Sequence, residues 1–295
     1  MKKLILILFL FPIVGFSQQD FQFTMFWNNI TWFNPGAIGV DYDHRGVLSG
    51  RNQWAQFDGN PITIGGSYDL KINPLHGGLG ISYVYDRLGF EANNHARLNY
   101  SYHFDLGNDR VLGSGLAVGF SNKSLSATWI TPDGTPASND PAINTNTGPN
   151  SSNISQTVFD MDIGVYYSAP KLKLGFSTTH LLEPDMDNLN VQNVRHFWLY
   201  GGYEIDVWPN LKVIPRFLAK SDGASTQLDL ASEFRLFDNY WAVAAYRLGD
   251  EIGFGGGVDI AGKFRVGMTY GITTSAISGY SNGSWEAVLA VVLND

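Results

Sequence analysis

The chain has 295 residues and a formal net charge of −8, with 44% hydrophobic residues, 33 glycines and no cysteine. The acidic balance excludes the basic footprint of a nucleic-acid binder, and the missing cysteines exclude disulfides, thiolate metal sites and a cysteine nucleophile. No apolar run beyond the N-terminus is long enough to cross a bilayer as a helix, yet glycine and aromatic residues are plentiful, as in proteins that cross with strands.

Residues 1–17 read as a signal peptide. Lys2 and Lys3 form a charged start, residues 4–14 are apolar, and Gly15 and Ser17 supply the small residues of a cleavage site, so the mature chain is expected to begin at Gln18. Residues 18–43 form a second unit. Phe23, Phe26, Trp27, Trp32 and Phe33 follow no alternation, and Asn34-Pro35-Gly36 is a turn signal. This unit is expected to be a periplasmic lead-in or a segment facing the lumen of the unit formed by residues 44–295.

From residue 44 to 295 one pattern repeats. In Lys263-Phe264-Arg265-Val266-Gly267-Met268-Thr269-Tyr270-Gly271, every second side chain is apolar and those between are small or polar. Side chains in a strand alternate between two faces, so such a run has one greasy and one polar face. The predicted strands cover residues 47–54, 62–70, 78–86, 96–104, 111–121, 158–168, 172–179, 197–207, 211–220, 227–236, 240–248, 252–260, 264–272 and 284–293. The fold class is therefore all-β: a transmembrane outer-membrane β-barrel of about 14 antiparallel strands.

The connections support this reading. The turns at 169–171, 208–210, 237–239 and 261–263 are tight, whereas the long connections 122–157, 180–196 and 273–283 all have the opposite parity. Short periplasmic turns and long external loops are what a barrel with both ends in the periplasm requires. Pro215 falls inside a strand, where it removes a ladder hydrogen bond, so a bulge or a shifted boundary is expected there.

Chemistry is sparse. None of the six histidines has a metalloprotease spacing. His95 and His103 share a strand face but stand about 26 Å apart at roughly 3.3 Å per residue. Gly253-Phe254-Gly255-Gly256-Gly257 lacks the strand-to-helix context of a nucleotide loop, and its glycines fit a crowded lumen. The inward carboxylates Asp160, Asp162, Asp229 and Glu233 are expected in ion-pair networks with Arg97, Arg235, Arg247 and Arg265. Tyr68, Tyr102, Tyr167, Tyr203, Trp208, Tyr240 and Trp241 lie near strand ends and are expected in interfacial girdles.

Several short elements stand in a specific order along the chain. They are Gln19-Asp20-x-Gln22-Phe23, Asn34-Pro35-Gly36-Ala37, and Arg51-Asn52-Gln53-Trp54 followed by Phe57-x-Gly59-x-Pro61. The middle adds Gly78-Leu79-Gly80 with Asp86 and Gly89, His180-Leu181-Leu182, and His196-Phe197 with Gly201-Gly202-Tyr203. The last third adds Ala245-Tyr246-Arg247-Leu248-Gly249-Asp250, the run from Tyr270 to Tyr280, and Gly283-Ser284-Trp285-Glu286. Together they resemble the PorP/SprF family of type IX secretion system membrane proteins of Bacteroidota. The family usually has His where Trp285 stands, and an aromatic near the end where this chain has Leu293-Asn294-Asp295.

The resemblance implies an outer-membrane barrel without enzymatic activity. It implies a part in the export or surface attachment of large secreted proteins, including adhesins of gliding bacteria, through a C-terminal sorting domain on the cargo. The partners expected are that cargo, other type IX secretion components and outer-membrane lipid, but not nucleic acid; no catalytic residue, cofactor or metal is expected. Partner binding is expected at Arg51, Trp54, Phe57, His180, His196, Tyr280 and Trp285, with the external loops 122–157 and 180–196 holding the sorting domain. The alternatives are an outer-membrane transporter or channel for small hydrophobic molecules and a simple porin.

Overall fold

The computed structural model describes residues 20–126 and 154–293. The expected signal peptide, most of the 122–157 loop and the last two residues lie outside them.

Fourteen antiparallel strands close on themselves. They are β1 (His44–Asn52), β2 (Ile62–Ile72), β3 (Gly77–Leu88), β4 (Glu91–Asp105), β5 (Val111–Leu125), β6 (Ile154–Ser168) and β7 (Leu172–Thr179). Then come β8 (His196–Tyr203, continued by Ile205–Trp208), β9 (Leu211–Ser221), β10 (Thr226–Leu236) and β11 (Tyr240–Arg247). The last three are β12 (Glu251–Ile260), β13 (Phe264–Thr273) and β14 (Ser284–Leu293). Each pairs with its sequence neighbours, and β14 pairs with β1 from His44↔Leu293 to Asn52↔Trp285. Closure leaves no open edge between first and last strands, which a sheet in lipid requires.

Alternation sorts the side chains as the sequence predicts. Leu48, Ile64, Ile81, Leu98, Phe120, Ile163, Phe254, Met268 and Leu289 are exposed on the outside, where lipid would cover them. Ser49, Arg51, Arg97, Asn99, Ser101, Asp160, Asp162, Glu233 and Glu286 are buried inside. No helix among the described residues is long and apolar enough to cross a membrane.

Two expectations need correction. Trp241 is not in a girdle. Its neighbour Tyr240 is exposed on the outer face, so alternation turns Trp241 into the lumen, where it is 4% exposed and lies 4.3 Å beneath the Arg265 guanidinium. Gly257 and Gly267 make room for it: a Cβ on either would lie 2.4 Å or less from the indole. Nor does Pro215 cause a bulge. It pairs in register with Ser232 of β10. On its other side the ladder breaks between Gly202↔Arg216 and Ile205↔Val213, which is why β8 is interrupted. The missing N–H opens a gap without moving the register.

The wall has uneven height. β4, β5 and β6 each have 15 residues, against about 9–11 needed to cross a bilayer, so they stand above the membrane on the long-loop side. β7 has 8 residues and pairs with β6 only over Ile163–Ser168. Residues 180–195 return beside the upper part of β6: Leu181 donates its N–H to the Met161 carbonyl at 2.9 Å, and Asp185–Met186 pairs with Val191–Gln192 in a small hairpin.

Candidate functional site

The lumen of the barrel holds the chain's own N-terminal segment. Residues 23–38 are buried throughout, and Met25, Phe26, Trp27, Ile30 and Phe33 pack with Tyr166, Trp198, Tyr200, Leu218 and Trp241 of the wall. Phe33 stacks on Trp198 at 4.9 Å. The apolar side chains of the segment point in several directions because it meets protein on all sides, which explains why it shows no strand periodicity.

The segment runs from the long-loop end of the lumen to the short-turn end, and polar wall residues hold it at each level. At the outer level the Thr24 and Met25 N–H groups donate to the two Glu286 carboxylate oxygens at 2.5 and 2.8 Å. Arg51 pairs with Glu286 at 3.2 Å and with Glu251 at 2.6 Å, and donates to Thr24 Oγ1 at 2.6 Å. Ser49 donates to Asn29 Oδ1 at 2.8 Å. Lower down, Pro35–Ala37 forms a 3-10 turn capped by Asn34, whose Oδ1 accepts from the Gly36 N–H at 2.9 Å. This turn lies directly on the backbone of β5 and β6. A Cβ on Gly113, Gly115 or Gly164 would come within 2.3 Å of residues 34–36. At the short-turn end, Tyr166, Ser168 and Lys173 converge on Asp41 at 2.9, 2.7 and 2.5 Å.

The segment separates two vestibules that share no lining residue. The outer one, of about 240 Å³, is bounded by Asp20, Phe21, Glu91, His95, His180 and His196 among others. The inner one, of about 380 Å³, is bounded by Trp27, Asp41, Arg45, Arg235 and Arg265 among others.

At the outer mouth Asp20 and His180 form a latch. His180 Nδ1 lies 2.5 Å from Asp160 Oδ2 and its Nε2 lies 3.3 Å from Asp20 Oδ1, while Arg97 pairs with Asp162 at 2.9 Å. Lys220 Nζ donates to the Asp20 carbonyl at 2.9 Å. Burial works against a charged His180, but Asp20 and Asp160 outweigh it and push its pKa up to about 10. Burial likewise opposes an ionised Asp20, but His196, His180 and Lys220 hold its carboxyl well below the usual range. Asp20, His180 and His196 are also the residues whose ligand atoms converge, within 4.8 Å. Both nitrogens of His180 already face carboxylates, and His196 Nδ1 faces the Val194 carbonyl at 2.9 Å. The arrangement therefore fits an imidazolium clamped between two carboxylates better than a metal centre.

The latch has a pH signature. His180 is raised above its ordinary 6.5, so its contribution is complete below about pH 6.5 and is lost as the pH rises through about 10. His180→Gln is expected to lower the melting temperature of the purified barrel at about pH 6 and to have little effect at about pH 10.5. An equal loss at both pH values would show that His180 packs there without carrying charge.

The inward carboxylates are closed by arginines, as their strand parity suggests. Asp229 pairs with Arg247 at 2.9 Å. Glu233 is surrounded by Arg235, Arg265 and Arg216 at 2.7, 3.0 and 3.2 Å.

Residues 15–291 match the family described as type IX secretion system membrane protein PorP/SprF. The chain belongs to the PorP/SprF family. No curated protein matches it. Among solved structures, this PorP/SprF barrel is similar to the Ralstonia pickettii toluene transporter TbuX, with a TM-score of 0.53 and 10% identity over 87% of this chain and 91% of that one. It is also similar to a mutant of the TodX monoaromatic hydrocarbon channel, with a TM-score of 0.50 and 10% identity over 91% of this chain and 94% of that one. At this identity the likeness shows the fold, an outer-membrane barrel.

The residues proposed from sequence fall into four places in the PorP/SprF barrel. Arg51 lies inside, its side chain 1% exposed beneath the plug. His180 and His196 are buried at the outer mouth. Trp54, Phe57 and Tyr280 belong to the first and last external loops, which are tied together by Ala55 N–H to the Gly283 carbonyl at 2.7 Å and Asn282 N–H to the Ala55 carbonyl at 2.9 Å. Tyr280 is 76% exposed there. Trp285 points outward from β14, 4.7 Å from the Tyr270 ring. Sequence reading missed Asp20, Thr24, Glu251 and Glu286 as functional positions. The signal available was parity: Glu251 and Glu286 are acidic residues on inward positions of otherwise apolar or small strands.

Proposed function

We propose that this outer-membrane barrel of the type IX secretion system anchors a secreted cell-surface protein by binding the cargo's C-terminal sorting domain on its external face. The observation that carries this reading is the filled lumen. A secreted protein cannot pass through a barrel whose centre is occupied by packed aromatic side chains, so contact falls to the external loops on a rigid wall. The joined loops bearing Trp54, Phe57 and Tyr280, together with residues 180–195, offer such a surface. The strands β5 and β6, which lead to and from residues 127–153, stand taller beside it.

The transporter alternative gains less support. The apolar space beside the plug, lined by Phe21, Phe23, Phe26, Phe33 and Trp198, has about 20 Å³, room for a water molecule and not for an aromatic hydrocarbon.

The test follows one candidate adhesin in cells in which residues 127–153 are replaced by a short turn. Residues 122–125 and 154–157 are kept, because they are paired strand and not loop. Surface display of the adhesin is expected to fall by about tenfold or more while the barrel still folds. Unchanged display with a folded barrel would remove this loop from the binding surface.

A further inference from the structure

The inner vestibule points to a second ligand. We propose that it is a binding site for an acidic peptide segment of a partner that reaches the barrel from the periplasm. The inference goes beyond the cargo reading, because it concerns the opposite face and stands or falls separately.

Charge is the first observation. The chain carries −8 overall, yet six cations line this cavity: Arg45, Lys173, Arg216, Arg235, Lys263 and Arg265. Only three carboxylates line it, Asp41, Asp238 and Asp259. Four of the cations are matched internally. Lys173 pairs with Asp41 at 2.5 Å, and Arg216, Arg235 and Arg265 share the buried Glu233. Asp238 is engaged by Lys212 at 3.3 Å, from outside the cavity lining.

Arg45 and Lys263 remain. Neither has a carboxylate within ion-pair distance among the described residues. Arg45 is the telling one, being only 7% exposed. It donates to the Asn28 carbonyl and lies 5.4 Å from the Tyr42 ring, contacts that fix its direction without neutralising it. Its cross-strand neighbour Asp69 acts on it only through its field, from beyond ion-pair distance, and accepts from the Gly39 N–H at 3.2 Å. A guanidinium taken out of water without a counter-charge in contact is unfavourable, and an incoming carboxylate offsets that cost through charge-assisted hydrogen bonds.

Access and size select the ligand. Asp238, Gly262 and Lys263 belong to the short turns, so the cavity opens at the short-turn end, the periplasmic end in barrels of this kind. The strand wall separates it from lipid headgroups. A volume of about 380 Å³ matches sites that take an organic ligand rather than a single small ion. The aromatic walls of Trp27, Tyr42, Tyr166 and Tyr200 suit a peptide backbone between the cations.

The full barrel in a neutral detergent is titrated with a fluorescein-labelled octapeptide of alternating Glu and Asp, followed by anisotropy at low salt. Saturable binding is expected, weakened about tenfold or more in Arg45→Gln/Lys263→Gln and by raised salt. Lys263→Gln alone changes an exposed turn and gives a folded variant of intermediate affinity. A Lys/Arg peptide of the same length is expected not to bind. Absence of saturable binding to the unmodified protein overturns the proposal, as does equal binding by the double variant. Complete displacement by millimolar inorganic phosphate also overturns it, since the site would then take a small anion and not a peptide.

Discussion

A variant lacking residues 20–36 is expected to conduct ions in planar bilayers, with resolved single-channel steps, where the full chain gives none. The segment is what separates the two vestibules of about 240 and 380 Å³. Its removal joins them along a wall in which Ser, Asn, Arg and Asp side chains, which water wets, stand among Tyr166, Trp198, Tyr200, Leu218 and Trp241. The wall itself does not depend on the segment for closure, because β1 and β14 are paired over nine consecutive positions. The barrel is therefore expected to insert and to retain heat-modifiable migration on gels. A folded, non-conducting variant would mean that the external loops or the wall side chains close the lumen unaided, and the plug would lose its place in the proposed function.

Much of this architecture was legible in the letters because lipid imposes one rule on every strand. Phe264, Val266, Met268 and Tyr270 had to share a face, and the remaining side chains had to be inward. Strand parity turns Asp160, Asp162, Asp229 and Glu233 inward toward Arg97, Arg235, Arg247 and Arg265, but which carboxylate meets which arginine needs the folded ring. The plug obeys no such rule. Phe26, Trp27, Ile30 and Phe33 are surrounded by wall residues, so their apolar character has no direction and their spacing gives no period. The small residues of β5 could be read as crowding, but not as the bed of a particular turn. That requires knowing that Asn34-Pro35-Gly36 lies against Gly113, Gly115 and Gly164. The seat of the plug was hidden for a topological reason. Arg51 meets Glu286 across 235 positions and Glu251 across 200, and only the closing of the ring brings these strands together. The error at Trp241 was local. Two adjacent aromatics near a strand end were assigned to one girdle, although neighbours in a strand must face opposite ways.

That hidden seat carries the second large effect. Arg51→Met is expected to release the outer half of the plug. In the native barrel the Arg51 side chain is 1% exposed, as is that of Glu286, and that of Glu251 is 3% exposed. The single guanidinium balances two carboxylates, one of which holds the Thr24 and Met25 N–H groups in line. Deleting one partner of a buried ion pair costs about 3–5 kcal/mol, because the other charge stays behind without compensation. Arg247, committed to Asp229 at 2.9 Å, does not replace it. Limited proteolysis from the external side is therefore expected to cleave within residues 20–28 of the variant and to spare the native protein, with a lower melting temperature alongside. A triple variant, Arg51→Met/Glu251→Gln/Glu286→Gln, separates charge from packing. Removing all three charges leaves no uncompensated charge, and the single amide oxygen at position 286 keeps one of the two bonds from Thr24 and Met25, so protection of the segment should return in part. Persistent cleavage in the triple variant would mean that Arg51 acts through its packing and its bond to Thr24 Oγ1, while an unchanged single variant would show that the aromatic contacts below hold the plug by themselves.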